Sequence, residues 1–479
     1  MRRLRQLAAR TPAGRQRYVD LLRALAIGMV VLGHWAVAAI GEDPTGRPTG
    51  RSALPELPWA YPLTWVAQVM PIFFLVGGYA NAASLAARRA AGVDATTWLL
   101  DRGARLLRPT TALLLVIAVG AALASLAGVE ATLVRTVGWF ATIPLWFLAA
   151  YLIVVPLTPA MQALHRRFGL LVPAALAALV VAGDVGRALG PAELALPNYV
   201  FGWLAVHQLG LAWRDADAGR PAPHGPRSRP LPLSRHAGAA MLLGGLAATV
   251  LLTTVGPYPV SMLNVPGERL DNAAPPSLAL LSLTVAQFGA VLLLRAPAER
   301  WLRRPGPWQA VIAVNAVVLT VFLWHLAAAI LLVGALDAAG KLPTPPVGSA
   351  AWLAWRVPWV LMLTVVLAAL VAVFGPVEAR TGRAGSAERG DSAGRQGDAR
   401  RAGDGVASGR APAGRGWRAT GRAALTAAGF AAVVYALVVN AETPRSAPEP
   451  LGVPAPALVA YLAGAGTLRL LRSGWGSRG

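Results

Sequence analysis

The stretch RYVDLLRALAIGMVVLGHWAVAAI, residues 17–40, decides how the fold is read. It is apolar enough to enter a membrane, yet it carries Asp20, Arg23 and His34. An α-helix turns about 100° and rises about 1.5 Å per residue. Arg23 and His34 therefore fall within about 20° of each other on one face, roughly 16 Å apart along the axis, with Asp20 on an adjacent face. Ionisable groups at that depth are costly and by default mark a site facing the interior of a helix bundle. Histidine suits proton transfer because its ordinary pKa lies near neutrality. The residues alone leave a second reading open: a core histidine hydrogen-bonded to a neighbouring helix, with Arg23 snorkelling to the interface.

Composition extends the membrane reading to the whole chain. Of the 479 residues 56% are hydrophobic and 14% charged, and the mean hydropathy is +0.53. That is the profile of an integral membrane protein, not of several soluble domains. The chain has no cysteine, which removes disulfides and thiolate chemistry. The first apolar run is longer than a signal-peptide core and is expected to stay as the first span.

A spanning helix needs about 20 mostly apolar residues. Segments near 19–41, 62–87, 109–128, 142–163, 169–187, 198–213, 237–256, 278–295, 308–335, 351–375 and 419–440 qualify, and a weaker one lies at 455–471. The expected fold is all-α, a polytopic transmembrane helical bundle. A basic arm (1–18) precedes a ten-span core (19–376). A linker (377–418) then leads to a C-terminal hairpin of one or two spans and a tail (419–479). The linker is rich in Gly, Ala, Ser, Arg and Asp, which cannot bury enough apolar surface to order it.

Charge sets the orientation. With the N-terminus in the cytoplasm, 35 of the 44 basic residues fall on the inner side and 7 on the outer side, with Arg23 and Arg356 inside spans. This is a strong positive-inside bias. The net charge of +22 then reads as topology and attraction to anionic lipid heads, not as nucleic-acid binding. Lys341 is the one lysine, and such arginine-rich usage suggests a GC-rich bacterial genome. The expected location is the bacterial cytoplasmic membrane.

Other polar residues are candidates of lesser force. His325, in TVFLWHLAAAIL (320–331), is a second mid-span histidine whose bland reading is a helix–helix hydrogen bond. His165, His224 and His236 lie in or beside inner loops and read as incidental, while His207 is ambiguous. In WLLDRGARLLRPTTAL (98–113), Arg102, Arg105 and Arg108 are expected on one side of a short helix, before a third span that starts at Pro109. They read as topology anchors or as a clamp for a ligand with several phosphates, because guanidinium forks match phosphate oxygens. Glu268 and Asp271 in the loop 256–277 read as solvated charges or as groups that meet an acceptor, and Asp184 as an isolated, wet acid. Trp146 and Tyr151 read as interface aromatics or as groups that stack on an acceptor.

The R-x10-H pattern of Arg23 and His34 resembles the first span of the acyltransferase-3 family of bacterial membrane-bound acyltransferases. MPIFFLVGGYANAASL (70–85), DRGARLLRP (101–109), PLWFLAAYLIVVPLTP (144–159) and FLWHL (322–326) resemble later motifs of that family, in the same order. The resemblance covers about residues 17–376. It implies transfer of an acyl group, commonly acetyl, from acyl-CoA on the cytoplasmic side to a hydroxyl or amine of an acceptor. It further implies that His34 is general base or acyl relay, that Arg23 orients it or binds the donor, and that Arg102, Arg105 and Arg108 meet the CoA phosphates. Asp20, Tyr79, Asn81, Trp146 and His325 are the expected lining residues. Neither a metal nor a tightly bound cofactor is expected. Acetyl-CoA or another acyl-CoA is the co-substrate, a saccharide, lipid or secondary metabolite the acceptor, and membrane lipids the surroundings.

Two departures stand out. The family's usual serine in the second span is Gly77 here, and its phenylalanine is Tyr79. Tyr79 or Asn81 would have to replace the lost hydroxyl, and Gly77 and Gly78 would leave room for an acyl chain. Span number, basic loops and intramembrane histidines also fit a transporter or exporter of an acylated or anionic solute, although the halves show no inverted repeat. A catalytically silent scaffold of envelope assembly is a third reading.

Overall fold

A computed structural model describes residues 16–42, 46–219, 230–401 and 414–474. Most of the basic arm, His224 and residues 402–413 of the expected linker lie outside the described residues. The first span forms helix α1 (Arg17–Val37), which contains no proline and runs through Gly28 and Gly33. It runs straight into an antiparallel ribbon, β1 (Ala38–Glu42) on β2 (Pro48–Ser52), with Ala38 opposite Ser52. Fourteen further α-helices follow among the described residues: a short one (Thr64–Ala67), then α2 (Met70–Ala90), α3 (Ala95–Leu126), α4 (Ala131–Thr142), α5 (Leu145–Phe168), α6 (Leu171–Leu189), α7 (Asn198–Asp217), α8 (Arg235–Thr254), α9 (Leu278–Trp301), α10 (Pro305–Asn315), α11 (Val318–Ala338), α12 (Ala350–Arg401), α13 (Gly414–Glu442) and α14 (Ala455–Arg472). Among the described residues, ten helical segments are long and apolar enough to cross a membrane. The chain is a polytopic helical bundle.

Several boundaries differ from the sequence reading. The basic run and the third span are one continuous 32-residue helix, α3, with Pro109 inside it. Next to the proline, Thr110 donates to the Leu106 carbonyl, and Thr111 and Tyr461 donate to that of Leu107. The apolar stretch 308–335 is two helices, α10 and α11, not one. Helices α7 and α14 form over 198–213 and 455–471 but fall outside the ten apolar segments.

The chain contacts fall into two units. The first comprises Met1–Ala87, Leu157–Val318 and Leu331–Val366; the second comprises Arg88–Pro156, Leu319–Ile330 and Leu367–Gly479.

In the first unit α7 is weakly apolar yet deeply buried, with Trp203, His207, Gln208 and Trp213 in the core. It crosses α2 with the backbones in contact. A Cβ on Gly78 would lie 2.0 Å from the His207 carbonyl oxygen, and one on Gly210 would lie 2.1 Å from that of Leu75. Small residues permit such close crossings. Gly78 therefore leaves no room for an acyl chain, contrary to the expectation, because the α7 backbone fills it.

The second span is interrupted at Gln68, between a short helix (Thr64–Ala67) and α2. The freed backbone groups are taken internally, as a non-aqueous setting requires. Gln287 donates to the Trp65 and Gln68 carbonyls, at 3.1 and 2.8 Å, and the Gln68 side chain accepts from Met70 N–H. The loop 256–277 docks here: Trp65 donates to the Val260 carbonyl, Gln68 donates to that of Met262, and the Thr64 hydroxyl accepts from Met262 N–H. Ser261, Met262 and Asn272 of that loop are buried. Asp271 is not a solvated charge but an ion-pair partner of Arg187 at 2.8 Å, whereas Glu268 is exposed as expected.

Asp184 is not a wet acid. It is 5% exposed and accepts from Tyr258, from Asn198 and from the backbone N–H of Leu278 at 2.8–3.0 Å. Burial, and then the Asp184 charge beside it, push the Tyr258 phenol well above its ordinary value, so Tyr258 stays a proton donor.

In the second unit the hairpin of α13 and α14 packs on α3 and α4. Phe430 of α13 fills the space that a side chain at Gly103 would need. Arg135 of α4 is fully buried and donates to the carbonyls of Asn440, Thr443 and Gly452 and to the Asn440 side chain. Asp94 caps α3, accepting from the Thr97 N–H and hydroxyl. Burial opposes its ionisation, but Thr97 and then Arg422 hold the Asp94 carboxyl below the usual carboxylate range. Glu378 accepts from the Leu319 and Thr320 N–H groups and so caps α11 from outside.

Candidate active site

Helix α1 is pinned at both ends within the first unit. Near its start, Arg17 donates to the Leu302 carbonyl and Tyr18 to that of Val291, both at 2.8 Å, and Asn315 donates to the Asp20 carbonyl at 2.9 Å. Leu21 packs on the buried cluster of Leu302, Trp308 and Val311. At its end, the last carbonyls of a helix have no partner within the helix. Here α12 supplies donors: Trp359 Nε1 to the Trp35 carbonyl at 3.1 Å, and Arg356 Nη1 to that of Ala38 at 2.7 Å.

His34 occupies this pinned last turn and is half-buried. Arg23 donates to Asp20 Oδ1 at 3.0 Å, on the same helix. Three helical turns, roughly 16 Å, are too far for the Arg23 side chain to reach His34. The two residues of the R-x10-H pattern thus share a helix face without touching, and Arg23 is paired with Asp20.

One feature of the site escaped the sequence reading. Arg356 stacks over the Trp352 ring at 4.3 Å and lies 5.9 Å from the centre of the Trp359 ring. Together with Trp355 and Ile40 they line an open depression beside the end of α1. The signal was present in WLAWRVPW (352–359): Trp, Trp, Arg and Trp at i, i+3, i+4 and i+7 occupy one helix face. Arg356 had been noted only as a charge inside a span.

Tyr79 and Asn81 have specific partners in the first unit. The Tyr79 hydroxyl donates to Asp217 Oδ2 at 2.6 Å, the other Asp217 oxygen pairs with Arg295 at 2.6 Å, and Arg214 lies over the Tyr79 ring. Asn81 Nδ2 lies 3.1 Å from His207 Nε2, with both side chains fully buried, so His207 is a core histidine bonded to a neighbouring helix. His165 is also buried, 3.8 Å from Asp215.

The remaining candidates lie in the second unit. Arg102 donates to the Tyr151 hydroxyl at 3.4 Å. Tyr151 is buried and stacks on Phe147, which meets Phe322 edge-on, so it is a core residue and not an interface aromatic. His325 is fully buried with Nδ1 2.6 Å from the Phe322 carbonyl. A carbonyl can only accept, so Nδ1 is the donor of this bond. Trp146 is half-buried next to Phe147. Arg105 and Arg108 are exposed, so the three arginines do not act as one row: Arg102 turns inward and the other two outward.

No curated protein and no solved structure matches the chain. The sequence profile of an acyltransferase domain matches residues 16–376, which takes in α1 with Arg23 and His34, the arginine run of α3, His325 and the tryptophan face of α12. On that match, which covers well over half of the sequence, the chain belongs to the acyltransferase-3 family and is a multi-pass membrane acyltransferase.

Proposed function

We propose that the protein transfers an acyl group, in the simplest case acetyl, from acyl-CoA at the cytoplasmic face to a hydroxyl or amine of a saccharide, lipid or secondary-metabolite acceptor. The observation that carries this reading is the rigid seat of His34 in a helix turn held from α12 by Trp359 and Arg356. A base must be held in place to act on a passing substrate.

His34 takes the acceptor proton as the acceptor oxygen attacks the thioester carbonyl. The tetrahedral oxyanion collapses, the C–S bond breaks, and the proton leaves with the CoA thiolate. Arg105 and Arg108, which face outward, are the members of the run open to the phosphates of the donor. Trp355 offers a partly exposed ring, and Arg356 a polar edge, to the acceptor, with the buried Trp352 and Trp359 holding Arg356 in place.

An exporter would use the freed carbonyls of a broken span to hold a coupling ion. The carbonyls at the break near Gln68 are instead taken by Gln287, which favours the transferase. The test uses inverted membrane vesicles and labelled acetyl-CoA added outside. Free CoA should appear there, with label in a non-CoA product, and right-side-out vesicles should release none. Uptake of label into either vesicle without CoA release would establish the exporter.

A further inference from the structure

The C-terminal hairpin lies beyond the residues matched by the acyltransferase profile, and the transfer just described does not use it. Its packing nonetheless delivers charge to one place. Phe430 of α13 fits against Gly103, and the Tyr461 hydroxyl of α14 reaches the Leu107 carbonyl at 3.1 Å and Thr111 at 3.0 Å. These contacts flank the arginine run of α3 and fix the register of α14 along it. Arg472 Nε then donates to Asp101 Oδ1 at 3.0 Å, while Arg88 takes the other oxygen of the same carboxylate. Arg469 and Arg472 both lie close enough to Arg108 to repel its charge, and Arg108 and Arg469 are exposed.

Two guanidiniums, those of Arg88 and Arg472, thus share the single negative charge of Asp101, and those of Arg108 and Arg469 gather beside Arg472. Anchoring to a membrane surface would be served as well by arginines spread around the rim, where like charges do not oppose each other. Here apolar packing forces them together, against a Coulomb penalty that an arriving anion relieves. Guanidinium forks match the oxygens of a phosphate in pairs.

We infer that Arg108, Arg469 and Arg472, with Arg88 beside them, form a binding site for a phosphate-bearing ligand, and that the C-terminal hairpin supplies half of it. The inference rests on the proposed function in naming the nucleotide end of acyl-CoA as the first source of that phosphate. The head of an anionic phospholipid offers the same chemistry. Arg472 also holds Asp101, so Arg469→Gln is the cleaner variant, and Arg469→Gln/Arg472→Gln the stronger one.

The test measures binding of labelled CoA to the full chain in phosphatidylcholine nanodiscs, and retention of phosphatidylglycerol by the same proteins in mixed nanodiscs. A CoA affinity at least tenfold lower in the double variant, and severalfold lower in Arg469→Gln, would support the nucleotide as ligand. The loss should vanish for S-acetylpantetheine, which lacks the nucleotide phosphates. Unchanged CoA binding with lost phosphatidylglycerol retention would support the lipid head as ligand. If both variants match wild type for both ligands, the site does not exist, even where acetyl-CoA turnover continues. A wild type that binds phosphatidylglycerol through these arginines but never binds CoA would keep the site and overturn the acyl-CoA reading.

Discussion

Replacing Arg135 by alanine tests how the C-terminal hairpin is held. The guanidinium is fully buried and donates to the Asn440 side chain at 2.9 Å and to the carbonyls of Asn440, Thr443 and Gly452 at 2.7, 2.7 and 3.2 Å. A hydrogen bond from a charged donor contributes about 1.5–3 kcal/mol, and a buried acceptor left without a partner costs about 1–3 kcal/mol. The four bonds share one cation, so their energies do not add. Relief from burying the guanidinium offsets part of the loss. A net destabilisation of about 3–5 kcal/mol follows, which for a unit of this size lowers the melting midpoint by roughly 10 °C. The absence of cysteine makes the assay clean, because a single introduced thiol is the only one. Val453 is buried beside Gly452, and Val453→Cys should resist a maleimide until the hairpin opens. In the Arg135→Ala background, labelling should begin about 10 °C lower, with Arg135→Lys in between because an ammonium lacks the planar fork. A shift below about 2 °C would mean that apolar packing alone holds the hairpin and that the arginine network is incidental.

Further outcomes follow from single contacts. Gly78→Ala places a methyl group 2.0 Å from the His207 carbonyl oxygen, so α2 and α7 must separate; the variant should fail to yield monodisperse protein, while Gly28→Ala, which meets open space, should behave as wild type. Asp184→Ala leaves three buried donors without an acceptor and should cost about 3 kcal/mol in thermal unfolding, with Asp184→Asn costing less. Arg356→Lys keeps the charge but loses the flat stack on Trp352; it should slow turnover several-fold with little change in the donor KM, because it acts through the seat of His34. Asp94 ionises more readily in the folded chain, so its cap adds stability above the ordinary carboxyl range and loses it as pH falls through the lower folded value. Thermal midpoints from roughly pH 5 down to 3 should therefore drop more steeply for wild type than for Asp94→Asn.

Much of the architecture was legible because it rests on local pattern. The apolar runs that became α1, α3, α5 and α9 carry their own signal, and the R-x10-H pattern needs one helix and nothing else. What failed was set by distant partners. Asp184 looks isolated in sequence, and the donors to its carboxylate, Asn198, Tyr258 and Leu278, are brought in by three other segments. The loop 256–277 reads as polar and solvated, but its backbone is bonded by Thr64, Trp65 and Gln68, nearly two hundred residues away. Within the site, His34 and Arg23 were found from spacing. The seat of His34 was not, because Trp359 and Arg356 reach it from α12 through backbone carbonyls that leave no trace in the side-chain sequence. The face of three tryptophans and one arginine on α12 was readable from its spacing alone.

The central claim is that acyl transfer runs through His34 of α1. The most direct measurement follows CoA release from labelled acetyl-CoA by purified protein in nanodiscs. Wild type would be compared with His34→Ala and with His207→Gln, which alters a buried histidine of α7 bonded to Asn81. Wild type should release CoA slowly, His207→Gln should retain part of that rate, and His34→Ala should lose at least a hundredfold at equal thermal stability. Release at the wild-type rate by a folded His34→Ala protein would contradict acyl transfer through His34.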